Sequence, residues 1–142
     1  MMTTNARGRY GLPTASIALG SGRYLTVHRA SNILARLRGL LGREPLTPAE
    51  GLVIEPCNSI HTFGMGYEID VVFLSADWRV LAISADLVRG RVAGRLAAAR
   101  VLELRGGAAA MHDIKVGDLL RCVEGPRAAQ ACTHPDTARQ EG

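Results

Sequence analysis

The chain has 142 residues, 47% hydrophobic and 21% charged, the proportions of an ordinary globular protein. One domain of this size buries about two-thirds of its unfolded surface. Its net charge of +4 comes from sixteen arginines and one lysine, Lys115, scattered without a basic block or a basic–aromatic alternation, which argues against a nucleic-acid surface.

Residues 1–15 are polar and punctuated by Gly and Pro, and read as a flexible N-terminal tail without the apolar core of a signal peptide. The apolar runs 16–19 and 24–28 flank Gly20-Ser21-Gly22, a hairpin signal. Alternation in the second run puts Leu25 and Val27 inside and leaves His28 on an exposed strand face. Ser31 is placed to cap a helix carrying Ile33, Leu34, Leu37, Leu40 and Leu41, with Arg36 and Arg43 off the apolar stripe and Gly39 and Gly42 marking its end. Thr47-Pro48-Ala49-Glu50 has the form of a capping box and predicts one helical turn. Leu52, Val53 and Ile54 then form a buried strand.

Residues 56–74 predict two extended segments joined near Gly64 and Gly66. The second, 69–74, is apolar on both faces and pairs with 79–85 through a turn at residues 75–78. Residues 89–100 are rich in Gly, Arg and Ala and read as a loop or a poor helix. Residues 101–104 return to strand, 108–111 form a short helix, 116–118 a turn and 119–123 the last strand. The single domain thus spans 16–124, and 125–142 reads as a disordered C-terminal tail holding Cys132 and His134. Three cysteines (Cys57, Cys122 and Cys132) without a CxxC pair argue against a disulfide scaffold. No run reaches the roughly 18 apolar residues of a membrane span, so a cytoplasmic location is expected.

Cys57, His61 and Met65 recur at intervals of four. On a helix they would converge as a soft-metal site or a Cys–His nucleophile pair. On a strand they would lie roughly 13 Å apart, beyond any shared coordination sphere. The intervening residues favour strand, so no metal site is assigned. The strand reading aligns Cys57, Ser59, His61 and Phe63 on one side, a floor for a shallow cleft. Asp70 and Glu103 are acids inside apolar runs, where a carboxylate needs a partner or its pKa rises. Arg38 and Arg43 are the candidate partners, which makes structural ion pairs the expectation.

The segments Arg38-Gly39-Leu40-Leu41-Gly42-Arg43, Gly51-Leu52-Val53-Ile54, Ile60-His61-Thr62-Phe63-Gly64-Met65, Ile69-Asp70-Val71-Val72-Phe73-Leu74, Val101-Leu102-Glu103-Leu104 and Gly117-Asp118 follow an order and spacing that resembles domain-of-unknown-function family 192, over about residues 30–123. The resemblance implies a compact, mainly antiparallel β-domain, sandwich, jelly-roll-like or barrel-like, with one or two short α-helices. It implies no established activity, substrate or cofactor, and the cofactor is unknown. Many relatives carry Trp-Met-Lys-Asn-Thr where this chain has residues 61–65, so chemistry needing His61 or Met65 would not be general to the family. Asp70 and Glu103 match its pattern. Many relatives also look exported.

Together these observations point to a ligand-binding or accessory, non-enzymatic module. Its cleft would be formed by His61, Thr62, Phe63 and Met65, backed by Asp70, Glu103, Arg38 and Arg43. A small polar or anionic molecule or a protein segment would be its partner. The alternatives are a hydrolase-like enzyme using Asp70 or Glu103 with His61, and an oligomerising component of a larger assembly. An acid lining a pocket within hydrogen-bond reach of His61 would weaken the binding-only reading; both acids buried against arginines, away from any concavity, would exclude the enzyme.

Overall fold

The computed structural model describes residues 7–124. Strands β1 (Thr14–Ala18) and β2 (Tyr24–Ala30) form the hairpin expected around Gly20-Ser21-Gly22. Helix α1 (Ile33–Arg38) follows, then β3 (Glu50–Ile54), β4 (Ser59–His61), β5 (Ile69–Leu74), β6 (Val80–Leu87), β7 (Val92–Gly94), β8 (Arg100–Arg105), helix α2 (Ala108–Met111) and β9 (Arg121–Glu124). Seven strands make one sheet in the order β6-β5-β8-β3-β2-β1-β9, antiparallel except where β2 meets β3. The sheet curls into a half-barrel, the barrel-like form of the expected fold. Strands β4 and β7 pair separately as a two-stranded ribbon. Among the described residues no helix is long and apolar enough to cross a membrane.

Alternation along the central strands divides the core between the two faces of the sheet. Val53, Val72, Leu74, Leu102 and Leu104 point into one cluster, capped by Ala108 and Ala109 of α2. Leu52, Ile54, Val71, Phe73 and Val101 point into the other, which Ala35 and Leu40 of the α1 segment and Ile60 of the ribbon cover. Both faces are covered, so β5 is buried along its whole length, as its unbroken apolar run predicts.

Several expectations are corrected. His28 is only 2% exposed, because residues 8–10 lie over its strand face. Gly8 packs so closely that a Cβ there would meet the imidazole at 2.6 Å, and the Tyr10 ring lies 4.4 Å from the His28 ring. Part of the expected tail is thus built into the domain: β1 begins at Thr14, and Arg9 binds Glu50 and Glu44. Asn32, not Ser31, caps α1, its Oδ1 accepting from the Ala35 N–H at 2.8 Å, because the helix begins at Ile33. The 47–50 segment is a turn without a helix. Its Glu50 carboxylate accepts from the Thr47 N–H, as in a capping box, but pairing with β2 carries the chain straight into β3. Within 89–100, the residues Val92–Gly94 are strand because β4 supplies a pairing edge. Residues 1–6 and 125–142, with Cys132 and His134, lie outside the described residues.

Candidate functional site

Glu103 lies mid-strand in β8, opposite Leu52 of β3 and Val71 of β5. Alternation from Leu102 and Leu104 turns its carboxyl onto the face covered by α1 and the ribbon. Only 4% of the residue is exposed, and its Oε2 is buried without a hydrogen-bond partner among the described residues. It lines a cavity of about 340 Å³. Burial pushes its pKa up to about 7.

One wall comes from the end of α1. The chain leaves the helix at Gly39, whose φ of +52° lies in the region that favours glycine, and a Cβ there would come within 3.7 Å of Glu103 Oε2. Glycine thus lets the backbone pass over the carboxyl without filling the space in front of it. Arg36 and Arg38 also line the cavity. Arg38 donates to the carbonyls of Leu41 and Gly42 at 3.0 and 3.3 Å. Arg43 points elsewhere, donating to Gly39 O and Tyr10 O at 2.8 and 3.1 Å. Neither forms an ion pair with Asp70 or Glu103 among the described residues, so the expected structural ion pairs are absent there. Backbone carbonyls left open by the glycine-rich end of the helix take the guanidinium donors instead.

The opposite wall is the ribbon. Its alternation is the expected one: Ile60 and Thr62 are buried, while Ser59, His61 and Phe63 are exposed. Cys57, Ser59, His61 and Phe63 all line the cavity. The rings of His61 and Phe63 stack at 5.3 Å, and Phe63 is 54% exposed, forming an apolar lip. Gly64, at φ +78°, turns the chain back so that Met65 reaches the same cavity, with its N–H on Thr62 O at 3.2 Å. The Cys57 thiol donates to Ser59 O at 3.0 Å, and burial pushes its pKa up, which disfavours a nucleophilic thiolate. Among the described residues no three His, Cys, Asp or Glu side chains group to hold a metal.

The cavity thus gathers His61, Phe63, Met65, Glu103 and Arg38 of the expected site, and leaves out Thr62, Asp70 and Arg43. Thr62 is fully buried; its Oγ1 donates to Val88 O at 2.6 Å and accepts from the Arg91 N–H at 2.8 Å, tying β4 to the segment before β7. Asp70, also fully buried, serves α2 on the other face: its carboxylate accepts from the N–H groups of Gly107, Ala109 and Asp86 at 3.1, 2.8 and 2.8 Å. Arg36 was not among the expected site residues. It sits off the apolar stripe, as a solvent-facing arginine does, and only the ribbon folding against α1 makes its surroundings a cavity wall. No pattern in the sequence marks it.

The family model DUF192, described as uncharacterized ACR, matches residues 16–122. No curated protein matches the chain. Among solved structures, the chain is similar to a protein of unknown function from Novosphingobium aromaticivorans DSM 12444, with TM-score 0.71 and 23% identity over 85% of this chain and 97% of that one. It is also similar to a protein from Sinorhizobium meliloti 1021 whose description proposes a transcription regulator, with TM-score 0.72 and 23% identity over 81% and 98% of the two chains. At that identity both likenesses show the fold.

Proposed function

Because the chain belongs to the DUF192 family, whose description assigns no chemistry, we propose a function from the cavity alone: a non-enzymatic module that binds a small polar ligand between the end of α1 and the β4–β7 ribbon. One observation carries this reading. Among the described residues, Glu103 Oε2 is buried without a partner in a cavity large enough for a small molecule. Buried polar atoms in folded proteins almost always have partners. A ligand bonding to Glu103 would supply the missing one, and the apolar lip at Phe63 would shelter it.

The test is a thermal-shift panel of amino acids, small carboxylates, nucleosides and sugars on the wild type, Glu103→Gln and Phe63→Ala. A responding class should lose about tenfold or more in affinity in Glu103→Gln. A panel whose responses are identical in all three proteins sinks the reading.

A second reading, an enzyme using Glu103 as acid or base with His61 across the cavity, draws on the carboxyl's pKa of about 7, a value suited to proton transfer at neutral pH. Among the described residues no hydrogen bond joins Glu103 to His61, and the bonds of Asp70 go to α2 on the opposite face. Turnover of ester, amide or glycoside substrates that disappears in Glu103→Gln would replace the binding role with this one.

A further inference from the structure

A buried carboxyl and a guanidinium line the same cavity without meeting. Glu103 carries the orphan oxygen, and Arg36 forms no ion pair or side-chain hydrogen bond among the described residues. Arg38, which also lines the cavity, donates through Nε and Nη2 to two carbonyls. A lone anion would satisfy the guanidinium and leave the buried carboxyl orphaned. A lone amine would do the reverse. Leu40, Ile54, Ile60 and Met65, with Phe63 at the lip, supply an apolar stretch of wall beside the polar Asn58, Ser59 and His61.

We propose that the cavity binds a free α-amino acid with an apolar side chain, its ammonium on Glu103, its carboxylate at Arg36 and Arg38, and its side chain against Ile60, Met65 and Phe63. This deepens the binding role above and rests on it. The free amino acid is the fitting source of this chemistry because a peptide end keeps only one of the two adjacent charges. The charge-assisted bond to a buried carboxylate is the stronger kind of hydrogen bond, and the apolar wall selects the side chain by area buried.

Binding is coupled to a proton. The titratable and charged groups that line the cavity with Glu103 are Arg36 and Arg38 from the α1 segment, Cys57 from the turn before β4 and His61 from the ribbon, and Tyr67 from the connection to β5 shares its field; its neighbours on β3 and β5 are Leu52 and Val71. An ammonium favours the ionised carboxyl, so a ligand arriving while Glu103 is protonated displaces that proton into solvent.

The experiment is isothermal titration of the full chain with L-phenylalanine and L-leucine, beside 3-phenylpropanoate (no amine), phenethylamine (no carboxylate) and guanosine monophosphate. Each is run in two buffers of different ionisation enthalpy. The expected result is binding of the amino acids, weakened at least about tenfold when either ligand charge is removed. Proton release on binding should vanish in Glu103→Gln, and affinity should fall in Arg36→Gln. Should Glu103→Gln fail to fold, Arg36→Gln and the charge-deleted ligands carry the same test. Equal Glu103-dependent binding of 3-phenylpropanoate or the nucleotide overturns the amino-acid assignment and leaves the binding role standing. Silence from these probes, with a response elsewhere in the wider panel, does the same. Silence from both overturns both.

Discussion

Asp70 and Glu103 stand on adjacent central strands one residue out of step: Asp70 is opposite Leu104, and Glu103 is opposite Val71. Side chains alternate across a sheet, so the two carboxyls leave it on opposite faces. Asp70 meets the start of α2 and three backbone N–H groups; Glu103 meets a cavity and, among the described residues, its Oε2 has no partner. Two acids of the same kind in similar apolar runs thereby have different tasks.

Asp70→Ala should destabilise the fold by about 1–3 kcal/mol, because it leaves the buried N–H of Ala109 without an acceptor and removes the half-buried bonds from Gly107 and Asp86. Asp70→Asn should cost less, since an amide oxygen still accepts. Urea denaturation measures both, and ligand binding at the Glu103 cavity, corrected for stability, should not change.

Glu103 and Glu50 should give opposite pH dependences. Glu103 ionises near pH 4.5 when unfolded and near 7 when folded. Between those values the unfolded chain has released a proton that the folded chain keeps, so stability falls as pH rises through the window and then levels. The loss is about 3 kcal/mol at roughly 1.4 kcal/mol per unit. Glu50 is held down to about 2, chiefly by hydrogen bonds from Arg9, with His28 and Thr47 adding. Its contribution, screened by solvent to about 1 kcal/mol, is present above pH 4.5 and is lost as pH falls toward 2. Denaturation of the wild type, Glu103→Gln and Glu50→Gln from about pH 3 to about pH 8 separates the two. Glu103→Gln should gain on the wild type as pH rises, and Glu50→Gln should lose most above pH 4.5. Parallel curves for all three proteins would remove this account of both residues.

Thr62→Val should loosen the ribbon by about 1–3 kcal/mol, because the Arg91 N–H loses its hydroxyl acceptor and Val88 O loses its donor. Hydrogen exchange at residues 59–61 and 92–94 should accelerate while the large sheet stays protected. Uniform exchange changes across the domain would assign Thr62 a global role instead.

Gly39→Ala should destabilise by about 1–2 kcal/mol, since an L-residue must adopt φ +52°, and its methyl enters the space before Glu103. Any ligand that bonds to Glu103 should bind this variant more weakly than it binds Gly42→Ala, a positive-φ position that does not line the Glu103 cavity. Equal affinities would place the ligand elsewhere.

The pattern of residues along the chain determined most of the strands, the glycine stop of α1, the alternation of the ribbon and the presence of two buried acids. These are local matters, set by periodicity, turn chemistry and the cost of an acid in an apolar run. Which acid has a partner, which arginine borders the cavity and whether His28 is covered were decided only in three dimensions. Each depends on what a distant segment lays over that face: α2 over Asp70, the ribbon against Arg36, and residues 8–10 over His28. Spacing along a strand says which side a residue takes, and only the assembled fold says what lies on that side.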